Sequence, residues 1–178
     1  ANCVVATGGN PNSTIRTAQM GLPIAYAIIG DNPIHFKPLI DLYRAVAEKV
    51  GHDLNKMPIA AHSWGWLGED NEQSIKDYFH PTKVLVDQIS SERPHWTGMT
   101  FEQYLQSVGD DGAIFVRDAD HVANKIIKMM EGLGLNRFYL HMPIGSMPHD
   151  EVMKAIEIYG KEVVPKVKAY FEAKEKNN

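Results

Sequence analysis

Val4-Val5-Ala6-Thr7-Gly8-Gly9-Asn10-Pro11-Asn12-Ser13-Thr14 decides how the rest of this chain reads. An apolar run stops at two adjacent glycines and gives way to the start of a helix. Glycine permits positive φ and lets a ligand approach the backbone closely. Asn10 has the side chain of an N-cap, Pro11 suits the first helical position, and Gly21 stands where a C-terminal cap belongs. The stretch therefore predicts a strand, a tight turn and a helix. The first amides of a helix have no partner within it and lie at the positive end of its dipole, so an anion such as phosphate fits there. Ser13 would add a hydroxyl donor. On the local pattern alone, a plain strand-to-helix turn serves as well. The turn is not a P-loop, because no Gly-Lys-Ser/Thr follows, and it lacks the Gly-x-Gly-x-x-Gly spacing of a dinucleotide site.

The same alternation of apolar run and helical pattern recurs along the chain, which predicts parallel strands joined by crossover helices. A strand around Ile24 to Ile29 precedes a helix that follows Asp31-Asn32-Pro33 and ends near Gly51, with Leu39, Tyr43, Val46 and Val50 on its core face. A third strand runs from Ile59 to Leu67. Asp70 with Gln73 reads as a capping box for the next helix, and Pro81 is expected to break that helix in two. Periodicity then fails from Ser90 to Gly112, apart from a short helical pattern at Phe101 to Val108. Residues 90–112 read as a lid-like insertion within a single domain of residues 1–178. Ile114-Phe115-Val116 is a candidate extra strand, and Asp118 or Asp120 caps a helix with Val122, Ile126, Ile127 and Met130 on one face. The fourth main strand is Arg137 to Met142, and a final helical stretch from His149 to Lys174 should bend or divide at Gly160 and Pro165. Four main parallel strands cannot close a barrel that needs eight strands and about 250 residues. They leave two edges that something must cover.

Composition narrows the partners. The chain has 178 residues, 44% hydrophobic and 22% charged, with a net charge of -4. These values suit a globular protein and argue against nucleic acid, since no basic cluster offsets the charge. No apolar run approaches the roughly 20 residues that span a bilayer. Cys3 has no cysteine to pair with, so the cytoplasm is the expected compartment. A chain that opens on Ala1-Asn2 and runs directly into strand-type sequence reads as a fragment, a processed chain or a truncation.

Ala6-Thr7-Gly8-Gly9-Asn10-Pro11 with Ala18-Gln19-Met20-Gly21-Leu22-Pro23 resembles the luciferase-like, flavin-dependent monooxygenases. So do Leu42-Tyr43-Arg44, Gly51-His52-Asp53 and Met147-Pro148-His149 with Val152, Met153 and Ile156. The resemblance implies an α/β fold, the C-terminal half of a TIM (β/α)8 barrel with strands five to eight. It also implies reduced flavin mononucleotide (FMN) or a deazaflavin coenzyme as cofactor. By the match, the phosphate contacts fall on Gly8 and Gly9 through their amides and on Ser13 through its hydroxyl, with Thr7 a weaker candidate. The half missing from the match would supply residues for the ring and the substrate, so this chain alone is expected to be incomplete for catalysis.

Other residues could carry chemistry. His62, Trp64 and Trp66 alternate along the third strand and share a face. They either line a pocket or pack against helices. His141, near the end of the fourth main strand, lies at the rim where barrels place their sites. His62 and His141 are the catalytic candidates. The eight histidines show no metal-ligand spacing, so no metal is expected. Two further readings stay open: a half-barrel that homodimerises and holds flavin or phosphate passively, and a phosphate-binding barrel enzyme acting on a sugar phosphate.

Overall fold

The computed structural model describes residues 3–30, 32–93, 97–145 and 147–176. Its strands are β1 (Val5–Thr7), β2 (Ile24–Ala27), β3 (Ile59–Leu67), β4 (Phe115–Arg117) and β5 (Arg137–His141). Every recorded pairing is parallel. β1 pairs with β2, β2 with the first half of β3, and β5 with β3 from Ala60 to Trp64. The candidate extra strand forms as β4, which among the described residues pairs only with the end of β3, from Gly65 to Leu67. The four main strands and the fifth, short one thus make a parallel sheet with crossover helices.

Register assigns each side chain a face, because successive residues of a strand point to opposite sides. Ile24, Tyr26 and Ile28 are fully buried. Tyr26 meets Thr14 and Leu39 through its hydroxyl and Phe36 through its ring. These partners lie on α1 (Pro11–Gln19), on a short 3₁₀ turn (Pro33–Phe36) and on α2 (Lys37–Lys49). Helices α1, α2 and α5 (Ala119–Leu133) pack in succession on this face, and α7 (Val164–Lys176) packs on α5. Buried tyrosines anchor the layer with satisfied hydroxyls. Tyr43 donates to the Leu22 carbonyl at 2.6 Å, and burial pushes its pKa up to about 12. The opposite face of β1 and β2 carries Ala6, Ala25 and Ala27, which keep solvent exposure.

Local chemistry explains the helix ends. The Asn10 side chain accepts from the Asn12 and Ser13 amides, and Gly21 takes φ +66 after α1. Asp118 caps α5, accepting from the His121 amide at 2.8 Å, so Asp120 is not the cap. Asp70 accepts from the Gln73 amide, but the Gln73 side chain turns to Asp77, leaving half a capping box. The complete box is Thr100 with Gln103, at the start of α4 (Phe101–Val108).

One expectation fails. Pro81 does not divide its helix: α3 runs unbroken from Asn71 to Glu92. An interior proline costs about 3 kcal/mol in an isolated helix. Here its ring is buried, and the backbone of Gly145 comes so near that a Cβ there would meet the Pro81 carbonyl at 3.0 Å. Tertiary packing offsets the lost hydrogen bond. The stretch from Ser90 to Gly112 is correspondingly less open than its sequence implies. It holds the end of α3 and all of α4, whose Tyr104 is fully buried and donates to the Ile75 carbonyl at 2.9 Å. Pro94, His95 and Trp96 lie outside the described residues. The terminal helix divides as anticipated near Gly160: α6 (His149–Ile158) passes through a π-helical segment (Tyr159–Val163) into α7.

β3 needs a glycine where it changes partner. A Cβ on Gly65 would lie 2.4 Å from Leu140 Cδ1 and 2.5 Å from the Phe115 carbonyl oxygen. Gly65→Ala should therefore destabilise the fold by about 1–3 kcal/mol through overpacking. The check is a lower urea midpoint at unchanged slope.

Candidate functional site

The strand-end turn is open. Gly8 is exposed, and a Cβ built on it would meet nothing within 4 Å. Gly9 takes φ +99 and sits against Phe36 and Leu39, so a side chain is excluded by conformation and by contact. Asn10 occupies two first-turn amides of α1, those of Asn12 and Ser13, which are thereby withdrawn from any ligand. Among the described residues, the amides of Gly8 and Gly9 and the hydroxyl of Ser13 have no hydrogen-bond partner. These three groups are the ones the sequence singles out. Thr7, the weaker candidate, is 8% exposed and pairs in register with Tyr26, on the face covered by helices.

The uncovered face forms the floor. Ala27, His62 and Tyr139 stand in one cross-strand row, with Trp64 and His141 in the next position towards the carboxyl ends. Arg137, Tyr139 and His141 are exposed and His62 is half-buried. The His62 and His141 rings lie 5.3 Å apart, tilted by 36°. Burial lowers the His62 pKa below its usual 6.5, and the neighbouring His141 lowers it further. His62 is therefore a neutral imidazole near pH 7, with a nitrogen free to accept a proton. Sequence reading brought out both histidines but missed Tyr139 and Arg137. The signal was available, since both alternate with His141 on one strand and so share its face.

At the carboxyl ends of β2 and β3 lies a cleft of about 740 Å³ that shares Trp64 with this face but is lined by neither histidine nor by Gly8, Gly9 or Ser13. Ile29, Gly30 and Trp64 form its base, Val86 of α3 one side, and Gln103, Gln106 and Ser107 of α4 another. Trp64 thus faces a pocket. Trp66 instead stacks on Tyr78 of α3, with centroids 6.0 Å apart and planes within 15°. The Phe79 ring packs against Phe101 and Tyr104, which joins α4 to α3. No helix among the described residues is long and apolar enough to cross a membrane.

The paired rings give a pH signature. Removing the charge of His141 should raise the His62 pKa towards 6.5, because the repulsion that disfavours the second proton is gone. A depressed histidine pKa favours the fold above the unfolded value and withdraws that support as pH falls. The native protein should lose stability below about pH 6.5, and His141→Asn should lose less. Histidine ring titration by NMR, with urea midpoints at several pH values, measures both. An unmoved His62 midpoint would rule out coupling between the rings.

No family model and no curated protein matches the sequence. Solved structures do match the fold. Monooxygenase RslO1 from Streptomyces bottropensis aligns with a TM-score of 0.73 at 17% identity, over 91% of this chain and 47% of its own. The oxygenating constituent of 3,6-diketocamphane monooxygenase from Pseudomonas putida, solved with FMN, gives 0.67 at 15% identity, over 92% and 48%. A coenzyme F420-dependent tetrahydromethanopterin reductase from Methanopyrus kandleri gives 0.57 at 20% identity, over 91% and 50%. The chain spans about half the length of these proteins. Its structural neighbours are luciferase-like flavin-dependent monooxygenases and their F420-dependent relatives, and its own fold is that of about half of their barrel.

Proposed function

We propose that this chain is the phosphate-binding half of a luciferase-like, flavin-dependent oxidoreductase. In this reading the Gly8-Gly9 turn receives the phosphate of reduced FMN or of a deazaflavin coenzyme. One observation carries it: the amides of Gly8 and Gly9 and the hydroxyl of Ser13 have no partner among the described residues, beside an exposed Gly8, at the end of β1 in a sheet whose uncovered face bears His62, Tyr139 and His141. Neighbours of this fold include one solved with FMN and one solved with an F420–acetone adduct.

Each group has a task. The Gly8 and Gly9 amides and Ser13 Oγ donate to phosphate oxygens, and the amino end of α1 adds its positive potential. The flavin, when bound, supplies the oxygen or hydride chemistry. His62 can take up a proton at a ring nitrogen, and His141 sits close enough to tune it. Residues 90–112, through α4 and the turn after it, act as the lid that walls the cleft and keeps water from it. The free edges of β1 and β5 call for a complement: an N-terminal half-barrel, or a second copy of this chain in the alternative reading. The chain alone is then incomplete for turnover.

The test is a fluorescence titration of FMN against riboflavin. FMN should bind more tightly, and Ser13→Ala should cost about 1–3 kcal/mol of FMN affinity while leaving riboflavin unchanged. Equal affinity for the two flavins removes the turn from the site. Binding of inorganic phosphate at the turn without any flavin response favours a sugar-phosphate enzyme instead.

A further inference from the structure

The bare face of the sheet is built in levels. Strand register sets Ala6, Ala25, Ala60 and Arg137 side by side near the amino ends of the strands. The next levels bring His62 beside Tyr139, then Trp64 beside His141. The groups on these levels that can carry charge near neutrality are Arg137, His62 and His141, all of them basic. Among the described residues, no carboxylate stands on any of the three levels.

Arg137 is the group without a counterpart. Its side chain is exposed, and among the described residues nothing pairs with it. Elsewhere the chain pairs its surface cations, Lys37 with Asp41, Lys83 with Asp87 and Lys128 with Asp111. A guanidinium stays charged at any ordinary pH and presents a planar fork of donors that matches a carboxylate. In water it needs no partner. Under a second sheet it must find an anion, because an unpaired buried ion is heavily penalised.

Size and charge together define what can cover the face. The chain spans about half of the solved barrels that it resembles, so the cover is of similar size, a second half-barrel. A second copy of this chain meets the geometric demand. A half-turn about the barrel axis sets β1 of one copy parallel to β5 of the other at both seams. The electrostatic demand is not met. The interior of an eight-stranded barrel is only wide enough for side chains to fill it. Alanines occupy the rest of the lowest level, so two Arg137 side chains would enter one shared space from opposite walls. Like charges in a dry interior repel strongly, and neither copy brings a carboxylate to separate them.

We propose that the bare face is an interface for a half-barrel that differs from this chain and carries an aspartate or glutamate opposite Arg137, at the level of Ala6 and Ala25. The carboxylate takes the guanidinium in two parallel hydrogen bonds, in the space that the alanines leave. The same requirement excludes a second copy as the partner. The inference rests on the half-barrel reading given above, and not on which flavin is bound.

Charge reversal tests this with the whole chain. The native chain, the Arg137→Glu chain and their equimolar mixture are followed by sedimentation equilibrium across the micromolar range, at about pH 8, where an ordinary histidine is neutral. Ring resonances of His62 and His141 report whether the bare face is the one covered. Neither chain alone should associate in a way that moves these resonances. In the mixture one copy supplies the carboxylate that the other lacks. The mixture should associate at least tenfold more tightly than either chain alone and shift both resonances. Arg137→Gln removes the repulsion, so that chain should pair with itself through the same face more tightly than the native chain does, and it serves where Arg137→Glu does not fold. Self-association of the native chain that covers the histidines overturns the proposal, since a second copy then suffices. A mixture that does not pair through this face overturns it equally. Titrations of FMN and riboflavin into the same samples keep the two readings apart. Charge-selective pairing with no flavin binding keeps the interface and sinks the cofactor assignment, whereas FMN binding by a native self-pair does the reverse.

Discussion

The structure depends on a sheet that is covered on one face and bare on the other. Parallel strands normally lie buried on both sides, because their crossover helices supply the covering. Here α1, α2 and α5 cover the face that carries Ile24, Tyr26 and Ile28. The other face presents Ala6, Ala25, Ala27, His62, Arg137, Tyr139 and His141. Such a set makes a poor hydrophobic core. Small residues towards one edge leave room, and polar ones towards the other supply chemistry. A surface of that kind suits the interior of a closed barrel near its ligand, and the likeness to half of several flavin-enzyme barrels accords with it.

How far the sequence reveals this depends on the range of the interaction. The cap at Asn10, the turn at Gly9 and the proline at Pro11 act within a few residues, so their pattern is legible directly. The long strand Ile59–Leu67 is legible because it is apolar beyond the length of a helical turn. The one-sidedness of the sheet is partly legible, since His62 and His141 interrupt apolar strands and period two carries the inference to Tyr139. Pro81 defeats local reasoning, because the helix survives through its burial against Gly145, a contact 64 positions away in sequence (145 less 81). Lys125 is harder still. A lysine in a helical pattern reads as a solvated residue, and only the folded chain brings three carbonyls to its ammonium.

The candidate site divides its work between elements of different rigidity. The proposed anion cradle and the histidine floor sit on strands and on the first turn of a helix, which fixes their relative positions. The wall of the cleft sits on α4, a helix of 8 residues that is too short to be stable without its anchors. Under the proposed function, binding geometry would be set by the sheet and access by the insertion.

Closure of the sheet would change the chemistry of the floor as well as its shape. His62 is already depressed by partial burial and by His141, while His141 itself remains exposed. Covering the bare face would remove water from both rings. Desolvation penalises the charged form, and two cations at this separation repel more strongly in a medium of lower dielectric constant. At most one ring would then carry a proton near neutrality, so the pair would act as a single-proton site rather than as two independent bases. The same covering would strengthen every hydrogen bond from the Gly8 and Gly9 amides to an anion. Under the proposed function, the groups that would bind and the groups that would handle a proton would gain their effect from one event, the exclusion of water by a complement to the sheet.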